Sequence, residues 1–386
     1  TAISNLFGIG GASIIAASLG KRDVERARQT SAVSFWAGLG SACLFSLIFF
    51  MLASPILRLS GATDEIYAIT YEYAKWVVVL GGSAAILNTL LANLVRAEGS
   101  AAAASFGVSM GGLINIMLDV FLVLPHFAGL GAAGAGIATA VSNFCAAIYF
   151  MLYIFIKRKS TVISINPRLL KYASLHIKEI LKIGFPSAVQ YALTVVAVAA
   201  QAKFVSRYVT EAVAGLGIVK KLDQLPLYFS IGVANGLLPL LAYNNAAGNH
   251  ERRKNAFRFG CIVSFGFAFL CLIVYEIFAE PLAGIFIDDR LTAEYAASFL
   301  RIMVTAMPLM AVCYPMIVQF QAIGRLKESL VCSVARKGVL DIPLLFILDR
   351  LWPLYGCMAV QPVVDAISLV IALVFYFRIN AENRAV

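Results

Sequence analysis

Apolar runs of about 20 residues recur along almost the whole chain, and each is long enough to cross a bilayer as a helix. In lipid, only helices and closed barrels satisfy every backbone polar group internally, and the runs are continuous rather than alternating, which favours helices. Of the 386 residues, 13% are charged, whereas soluble proteins carry about 25%. The sequence therefore predicts an all-α polytopic membrane protein.

The runs predict about eleven spans, with approximate bounds 1–19, 30–53, 65–95, 100–125, 131–156, 177–208, 213–242, 254–279, 291–322, 328–350 and 356–378. Basic residues concentrate in alternate loops, such as KRDVERAR at 21–28 and HERRK at 250–254, whereas GATDE at 61–65 lies on the opposite side. The positive-inside rule makes the basic loops cytoplasmic, together with the tail that holds Arg378 and Arg384. We expect a multi-pass protein of the plasma (bacterial inner) membrane. Because the bases are dispersed, the net charge of +10 does not indicate a nucleic-acid partner.

The two halves of the chain resemble each other. The matched positions are Gly20 with Gly248, Ala97 and Gly99 with Ala322 and Gly324, GLINI at 112–116 with GVLDI at 338–342, and Gly134 with Gly356. By subtraction the offsets are 228, 225, 226 and 222. Both copies keep the same orientation, so we predict two pseudo-symmetric six-helix bundles in a parallel repeat.

This repeat divides the chain into three predicted regions. Residues 1–156 form the N-terminal bundle, 157–182 a cytoplasmic linker with an amphipathic surface helix, and 183–386 the C-terminal bundle with a short tail. The first half has five spans and the second six. We therefore expect about 50 residues, one further helix and part of the next, before Thr1.

Several segments, in this order, resemble the multidrug and toxic compound extrusion (MATE) family. They are GGASIIAASLGKRD at 10–23, GAAGAGIATAVSN at 131–143, EILKIGFPSAVQ at 179–190, GIVKKLDQLP at 217–226 and GVANGLLPLLAYNNAAGNHERR at 232–253. The resemblance implies secondary active efflux, in which two bundles alternate between facing out and facing in. It also implies coupling to inward movement of Na⁺ or H⁺.

A carboxylate and an amide lie deep in the fourth span. Asn115 and Asp119 are four residues apart and so share one helix face, and an acid at the centre of a membrane helix costs at least roughly 2.5–3.5 kcal/mol. Such acids usually lie on a transport pathway, although packing by interhelical hydrogen bonds is the alternative. The family resemblance matches this pair to an ion and proton site and adds Thr139 as a ligand. Asn93, on the preceding span, is a further candidate.

Polar residues inside the second half predict another locus, for substrate or for packing. Lys220, Lys221 and Asp223 fall in one apolar run, and an internal Lys–Asp pair is the simplest interpretation. Asp341, Gln361 and Asp365 correspond in the repeat to the region of Asn115 and Thr139. Arg336 and Lys337 are expected to reach the cytoplasmic interface by snorkelling.

Cation-coupled export of amphipathic, cationic organic compounds is the leading prediction. The alternative is a related flippase for lipid-linked saccharides or cell-wall precursors, which needs a strongly basic cavity. The sequence is also compatible with a channel. It has no carboxylate cluster or His/Asp pattern of the kind that indicates a membrane enzyme. We expect no enzymatic activity, no cofactor besides the coupling Na⁺ or H⁺, no structural metal and a monomer in the bilayer. Asp119 is the candidate position for Na⁺, if Na⁺ rather than H⁺ is the coupling ion.

Overall fold

The computed structural model describes residues 1–59 and 63–382, and within these ranges the chain is helical without strands. The helices are α1 (Ala2–Gly20), α2 (Val24–Met51), α3 (Ala53–Leu59), α4 (Asp64–Ala74), α5 (Gly82–Ala97), α6 (Ala101–Val123), α7 (Gly131–Ile156), α8 (Ala173–Val205), α9 (Thr210–Ala246), α10 (His250–Ile277), α11 (Ala279–Gly284), α12 (Arg290–Val304), α13 (Met307–Ala322), α14 (Leu326–Val334), α15 (Asp341–Leu351) and α16 (Tyr355–Glu382). Residues 60–62, which include part of the predicted acidic loop, and Arg384 lie outside the described ranges.

The helices account for the predicted spans. Among the described residues, eight helices are long and apolar enough to cross a membrane, and two further spans are bent helix pairs. The pairs are Asp64–Leu80 with Gly82–Ala97, bent by 48°, and Arg290–Val304 with Met307–Ala322, bent by 46°. The remaining predicted span, 328–350, consists of α14 and α15 separated by an irregular turn.

The chain divides into two compact units, Thr1–Phe185 and Pro186–Val386. In the first unit, α5 packs against α1, α2, α6 and α7, and α6 lies along α7. Small residues permit the closest approaches: Gly10 faces the backbone of Ile180, and Gly184 faces that of Leu6, so a side chain at either glycine would collide with a carbonyl. In membranes such small-residue contacts are a main source of helix association.

In the second unit, α9 packs against α10, α12 and α13, and α16 packs against α12, α13 and α15. This arrangement repeats that of the first unit. Gly134 lies against the carbonyl of Leu122, and Gly356 against that of Leu348, which by subtraction are offset by 222 and 226 residues. Gly99 and Gly324, which follow α5 and α13, both have positive φ, the left-handed conformation that ends many helices.

One predicted repeat pairing is shifted by two residues. The left-handed residue between α9 and α10 is Gly248, and its counterpart between α1 and α2 is Arg22, with φ of 61°, rather than Gly20. The offset is then 226, in line with the rest of the repeat. Gly20 is the last residue of α1 and corresponds to Ala246, the last residue of α9.

The predicted surface helix of the linker is not a separate element. Residues Pro167–Tyr172 form a short 3₁₀ turn, after which α8 runs without interruption from Ala173 to Val205. The preceding linker is attached to the first unit by Glu98, whose carboxylate accepts hydrogen bonds from Tyr153 (3.0 Å), Thr161 Oγ1 (2.5 Å) and the Val162 amide (3.1 Å). The amphipathic pattern belonged to the start of a helix that continues into a span.

Candidate functional site

Asp119 and Asn115 lie one turn apart on α6, as predicted, and both are half-buried. Asp119 is, however, four residues before the end of α6, so it lies closer to the end of the span than the predicted central position. The Asp119 Oδ1 and Asn115 Nδ2 atoms are buried and have no hydrogen-bond partner within the protein. Buried polar atoms are almost always paired, so unpaired ones at adjacent positions need an explanation. A bound cation, a proton or water would each satisfy a carboxylate oxygen here.

Thr139 lies on α7, the helix that packs along α6. Gly111 packs against Ala146, and Gly134 against Leu122, and this register places Thr139 between the levels of Asn115 and Asp119. The Thr139 hydroxyl donates to the Ala135 carbonyl at 2.9 Å, which leaves its oxygen able to accept a cation. Three of the four residues predicted for this site, Asp119, Asn115 and Thr139, are thus on neighbouring helices at one depth.

Two asparagines that were not predicted lie next to this site. Together with Asn115, Asp119 and Thr139 they form a group that we call the polar strip. Asn88 Nδ2 on α5 donates to Asn143 Oδ1 on α7 at 3.1 Å, and Asn143 Nδ2 donates to the Thr139 carbonyl at 2.8 Å. Asn88 Oδ1 is buried and has no partner within the protein. Both residues were missed because each is an isolated amide in an apolar run. The repeat held a usable signal, since Asn143 corresponds to Asp365 with an offset of 222.

The donors of this strip suit Na⁺, which as a hard cation prefers carboxylate, amide and hydroxyl oxygens. Asp119, Asn115 and Thr139 offer one of each. Within the described ranges, no group of three or more His, Cys, Asp or Glu residues could hold a metal ion. Any cation site here therefore depends on one carboxylate and neutral oxygens.

Asn93 does not join this strip. It is buried near the end of α5, and its Oδ1 accepts a hydrogen bond from Arg96 Nη1 at 2.8 Å. It lies 4 residues before the end of α5, whereas Asp119 lies 18 residues after the start of α6. The helical rise then separates them by about 20 Å along the helix axes.

The second unit contains a buried ion pair. Arg336 Nε donates to Asp365 Oδ1 at 2.9 Å, and the two side chains are 1% and 0% exposed. The guanidinium also lies over the ring of Tyr314, 4.3 Å from its centroid. The prediction that Arg336 snorkels to the interface is wrong, because a carboxylate on another helix neutralises it inside the unit.

Lys337 is also buried, and the snorkelling prediction is wrong for it as well. Its Nζ donates to Gln361 Oε1 at 2.7 Å, and Gln361 Nε2 donates to Asp365 Oδ2 at 2.7 Å. A single chain of hydrogen bonds therefore connects Arg336, Asp365, Gln361 and Lys337. This chain of hydrogen bonds contains two of the residues predicted for the second locus, Asp365 and Gln361.

A third residue predicted for the second locus, Asp341, lies where the helix is broken. Lys337 and Gly338 leave helical geometry, with φ of −133° and 117°, and α15 starts at Asp341. Asp341 Oδ2 accepts a hydrogen bond from the Gly338 amide at 2.8 Å, which satisfies one donor released by the break. Broken helices inside a membrane protein occur where backbone lines a cavity or is buried in protein.

A small cavity of about 10 Å³, which is about the space of one water molecule, adjoins this break. It is lined by apolar residues together with Gln201, Lys220, Lys337, Asp341 and Gln361. Lys220 faces the cavity, whereas Lys221 is exposed, as their angular separation of about 100° requires. Asp223 is half-buried and does not line the cavity. Among the described residues, Lys220 and Asp223 form no ion pair within 4.0 Å, although their opposite charges attract each other at longer range, so the predicted Lys–Asp pair is not a direct contact.

Comparison with known proteins places the chain in context. The sequence model of the MatE family matches residues 1–121 and 186–347. The multidrug export protein MepA of Staphylococcus aureus (strain MRSA252) is 28% identical over 376 residues, which cover 97% of this chain and 82% of MepA. MepA of Staphylococcus saprophyticus is 27% identical over 375 residues, with the same coverage of 97% and 82%.

Solved structures share the fold. An outward-facing multidrug resistance MATE family transporter superposes with a TM-score of 0.90 at 22% identity, covering 99% of this chain and 85% of that one. A MOP superfamily transporter from Pyrococcus furiosus gives a TM-score of 0.90 at 21% identity, with coverage of 98% and 85%. These likenesses confirm the predicted all-helical fold.

Proposed function

Since the chain belongs to the MatE family of multidrug efflux transporters, we propose that it exports amphipathic, cationic organic compounds in exchange for Na⁺ or H⁺. Family members are transporters rather than enzymes, and the chain is a multi-pass membrane protein. We further propose that it acts as a monomer in a bacterial inner membrane with its C-terminus in the cytoplasm, as the charged loops predict.

The observation that most supports cation coupling is the unpaired Asp119 carboxylate. Its buried Oδ1 lies on the same helix face as Asn115 and at the level of Thr139 on α7. In this proposal Asp119 accepts Na⁺ or a proton, and Asn115 and Thr139 supply the remaining oxygens. Exchange requires that cation and substrate favour different conformations, so that binding of one promotes release of the other.

We propose that substrate contacts the second unit at the broken helix. Lys220, Asp341 and Gln361 line the cavity there and carry positive, negative and neutral polar groups. Asp365 is fully buried in its ion pair, which supports a positioning role for it rather than substrate contact. Lys221 is exposed and Asp223 does not line the cavity, so we leave both out of this proposal.

A flippase for lipid-linked, anionic cargo is the second candidate, and one observation favours it. Two ammonium groups, on Lys220 and Lys337, line the cavity with the Asp341 carboxylate, and bases are what a pyrophosphate cargo requires. However, Lys337 is engaged by Gln361 and the neighbouring Arg336 is neutralised by Asp365. The charges of these buried bases are therefore largely satisfied within the protein. Export of cationic compounds remains the favoured proposal.

The test is dye efflux from proteoliposomes, with Na⁺ and pH gradients imposed separately. Wild-type protein should export a cationic dye when at least one gradient is present, and Asp119→Asn should abolish that export. The matched control is Asp64→Asn, which alters an exposed carboxylate of the same unit whose ion pair, among the described residues, is with the exposed Arg58. Gradient-driven efflux that persists undiminished in Asp119→Asn would overturn the coupling assignment.

The same proteoliposomes distinguish the antiporter from the flippase. If the protein is a flippase, a lipid-linked saccharide should change leaflets while the cationic dye stays trapped. Dye export without movement of the lipid-linked saccharide supports the antiporter.

A further inference from the structure

A second, larger cavity lies in the second unit, and it shares no lining residue with the cavity at the broken helix. It has a volume of about 1120 Å³ and is formed at the start of α10 and the ends of α13 and α16. Its charged lining consists of Arg253, Lys254, Arg258, Arg325 and Glu251, a balance of four positive charges against one negative. The predicted orientation places it at the cytoplasmic face of the membrane.

The positive charges differ in how far the protein itself neutralises them. Arg325 is paired with Glu382 at 2.7 Å and approaches Glu328 at 3.8 Å. Within the described part of the chain, Lys254 and Arg258 have neither an ion pair nor a hydrogen bond from their side chains. The cavity therefore keeps net positive charge available for a ligand.

Arg253 indicates that the ligand would be an acceptor of hydrogen bonds. Its Nη1 donates to Asn245 Oδ1 at 2.5 Å, which fixes the guanidinium in place. Its Nε is buried and has no partner within the protein. A guanidinium held in this way binds the planar edge of a carboxylate or phosphate.

The start of α10 adds further donors. Asn249 occupies the N-cap position but its side chain makes no capping hydrogen bond, so amides of the first turn lack that acceptor. The N-terminus of a 28-residue helix carries partial positive charge and binds anions, phosphate in particular. Together with the unpaired bases, this favours a phosphate group as the ligand.

Apolar side chains lead away from this cavity along two helices. On α10, Ile262 and Phe265 continue the face of Arg258 at intervals of four and three residues, and they are 69% and 44% exposed. On α16, Val370, Val374 and Phe377 form a similar row, 60%, 59% and 65% exposed, and Phe377 itself lines the cavity. Groups that can bind a phosphate thus lie at one end of two rows of apolar side chains. This arrangement suits an amphiphile better than a soluble ion.

We propose that this cavity binds the headgroup of an anionic phospholipid of the cytoplasmic leaflet, with its acyl chains along the two rows. Basic pockets between membrane helices on the cytoplasmic side commonly hold such headgroups. The site shares no residue with the proposed coupling and substrate groups, so each proposal is open to refutation without the other.

The experiment is native mass spectrometry of the full chain in detergent, with phosphatidylglycerol or phosphatidylethanolamine of identical acyl chains. Wild-type protein should retain phosphatidylglycerol in preference to phosphatidylethanolamine. The variant Arg253→Gln, Lys254→Gln, Arg258→Gln should weaken phosphatidylglycerol binding roughly 100-fold, since each base near the headgroup contributes about a factor of five. The matched control is Lys157→Gln, Arg158→Gln, Lys159→Gln, which removes the same charge from exposed positions at the same predicted face.

The outcomes are distinguishable. Unchanged phosphatidylglycerol binding in the first triple variant, or an equal loss in the control, would overturn the proposal. Displacement of the lipid by millimolar inorganic phosphate would assign the cavity to a soluble phosphate instead. If the triple variant fails to fold, Arg258→Gln alone, at an exposed position, should still reduce binding about fivefold.

Discussion

Arg336 Nε and Asp365 Oδ1 are 2.9 Å apart, 29 residues apart in sequence, and almost fully enclosed by protein. The ion pair joins the helix break at Lys337 and Gly338 to the middle of α16. Because Asp365 also accepts from Gln361, which accepts from Lys337, the broken helix is held by charged and neutral hydrogen bonds together. The local geometry of the proposed substrate cavity thus depends on two residues that do not line it.

Removing one member of this pair should destabilise the protein strongly. Asp365→Leu leaves a buried guanidinium without its counter-ion, and breaking a buried pair in this way costs about 3–5 kcal/mol. The double variant Arg336→Leu, Asp365→Leu should be more stable than either single variant, because no uncompensated charge remains. Thermal unfolding of the three variants in detergent measures this coupling. Additive losses would show that the two side chains contribute independently.

Gly338→Ala should destabilise the helix break. Gly338 has a φ of 117°, which L-residues rarely adopt, and a side chain there would also contact Leu193 closely. The expected loss is about 1–3 kcal/mol. The repeat mate Gly112 provides the control, since it lies within the continuous helix α6 with open space around it. Gly112→Ala should be neutral or stabilising by up to about 1 kcal/mol, and equal melting temperatures for the two variants would contradict the prediction.

Asn143→Ala should weaken cation coupling, because it removes the hydrogen-bond partner of Asn88 and the bond to the Thr139 carbonyl. Loss of a buried hydrogen bond costs about 0.5–1.5 kcal/mol, so the cation concentration for half-maximal dye efflux should rise by up to about tenfold. Asn93→Ala, on α5 near Arg96, should leave that concentration unchanged. A larger effect at Asn93 than at Asn143 would move the coupling site toward the end of α5.

The start of α12 should lose stability in acid. Asp289 accepts hydrogen bonds from the Thr292 hydroxyl (2.6 Å) and the Thr292 amide (2.8 Å), and these bonds lower the pKa of its carboxyl below the ordinary value of 3.8. A lowered pKa in the folded state stabilises the protein above pH 3.8, and this contribution disappears as pH falls through the folded-state pKa.

Asp289→Asn retains a capping side chain but cannot titrate. The difference in melting temperature between wild type and this variant should therefore shrink as the pH is lowered from 6 toward about 3, following the titration of aspartate. A difference that stays constant over this range would exclude a role for the Asp289 charge.

The sequence by itself determined the features that depend on local periodicity. Each apolar run identifies a span, since satisfying the backbone in lipid requires a helix whatever its neighbours are. Asn115 and Asp119 share a face because they are four residues apart, which needs no knowledge of the partner helix. The repeat was also readable, although the pairing of Gly20 was off by two residues because the left-handed position of the first copy is Arg22.

Helix breaks were less readable. The second half's many prolines predict more broken helices there, and the described part of the second unit has one break more than that of the first. Each unit contains one bent helix pair, with bends of 48° and 46°, and the first bend lies at Gly81 without a proline. The additional break of the second unit is at Gly338, whose repeat mate Gly112 sits in a regular helix. Whether a glycine breaks a helix depends on contacts such as the Asp341 carboxylate, which satisfies the released amide.

Only the tertiary structure decided whether the charged residues of the spans are buried with partners or reach the membrane interface. Arg336 and Lys337 are basic residues in a span, for which snorkelling is the expected solution when no partner is known. Their partners, Asp365 and Gln361, come from another helix and make burial possible. Lys220 and Asp223, close in sequence, form no such pair among the described residues. Charge burial is a property of pairs in space, and sequence distance alone does not specify those pairs.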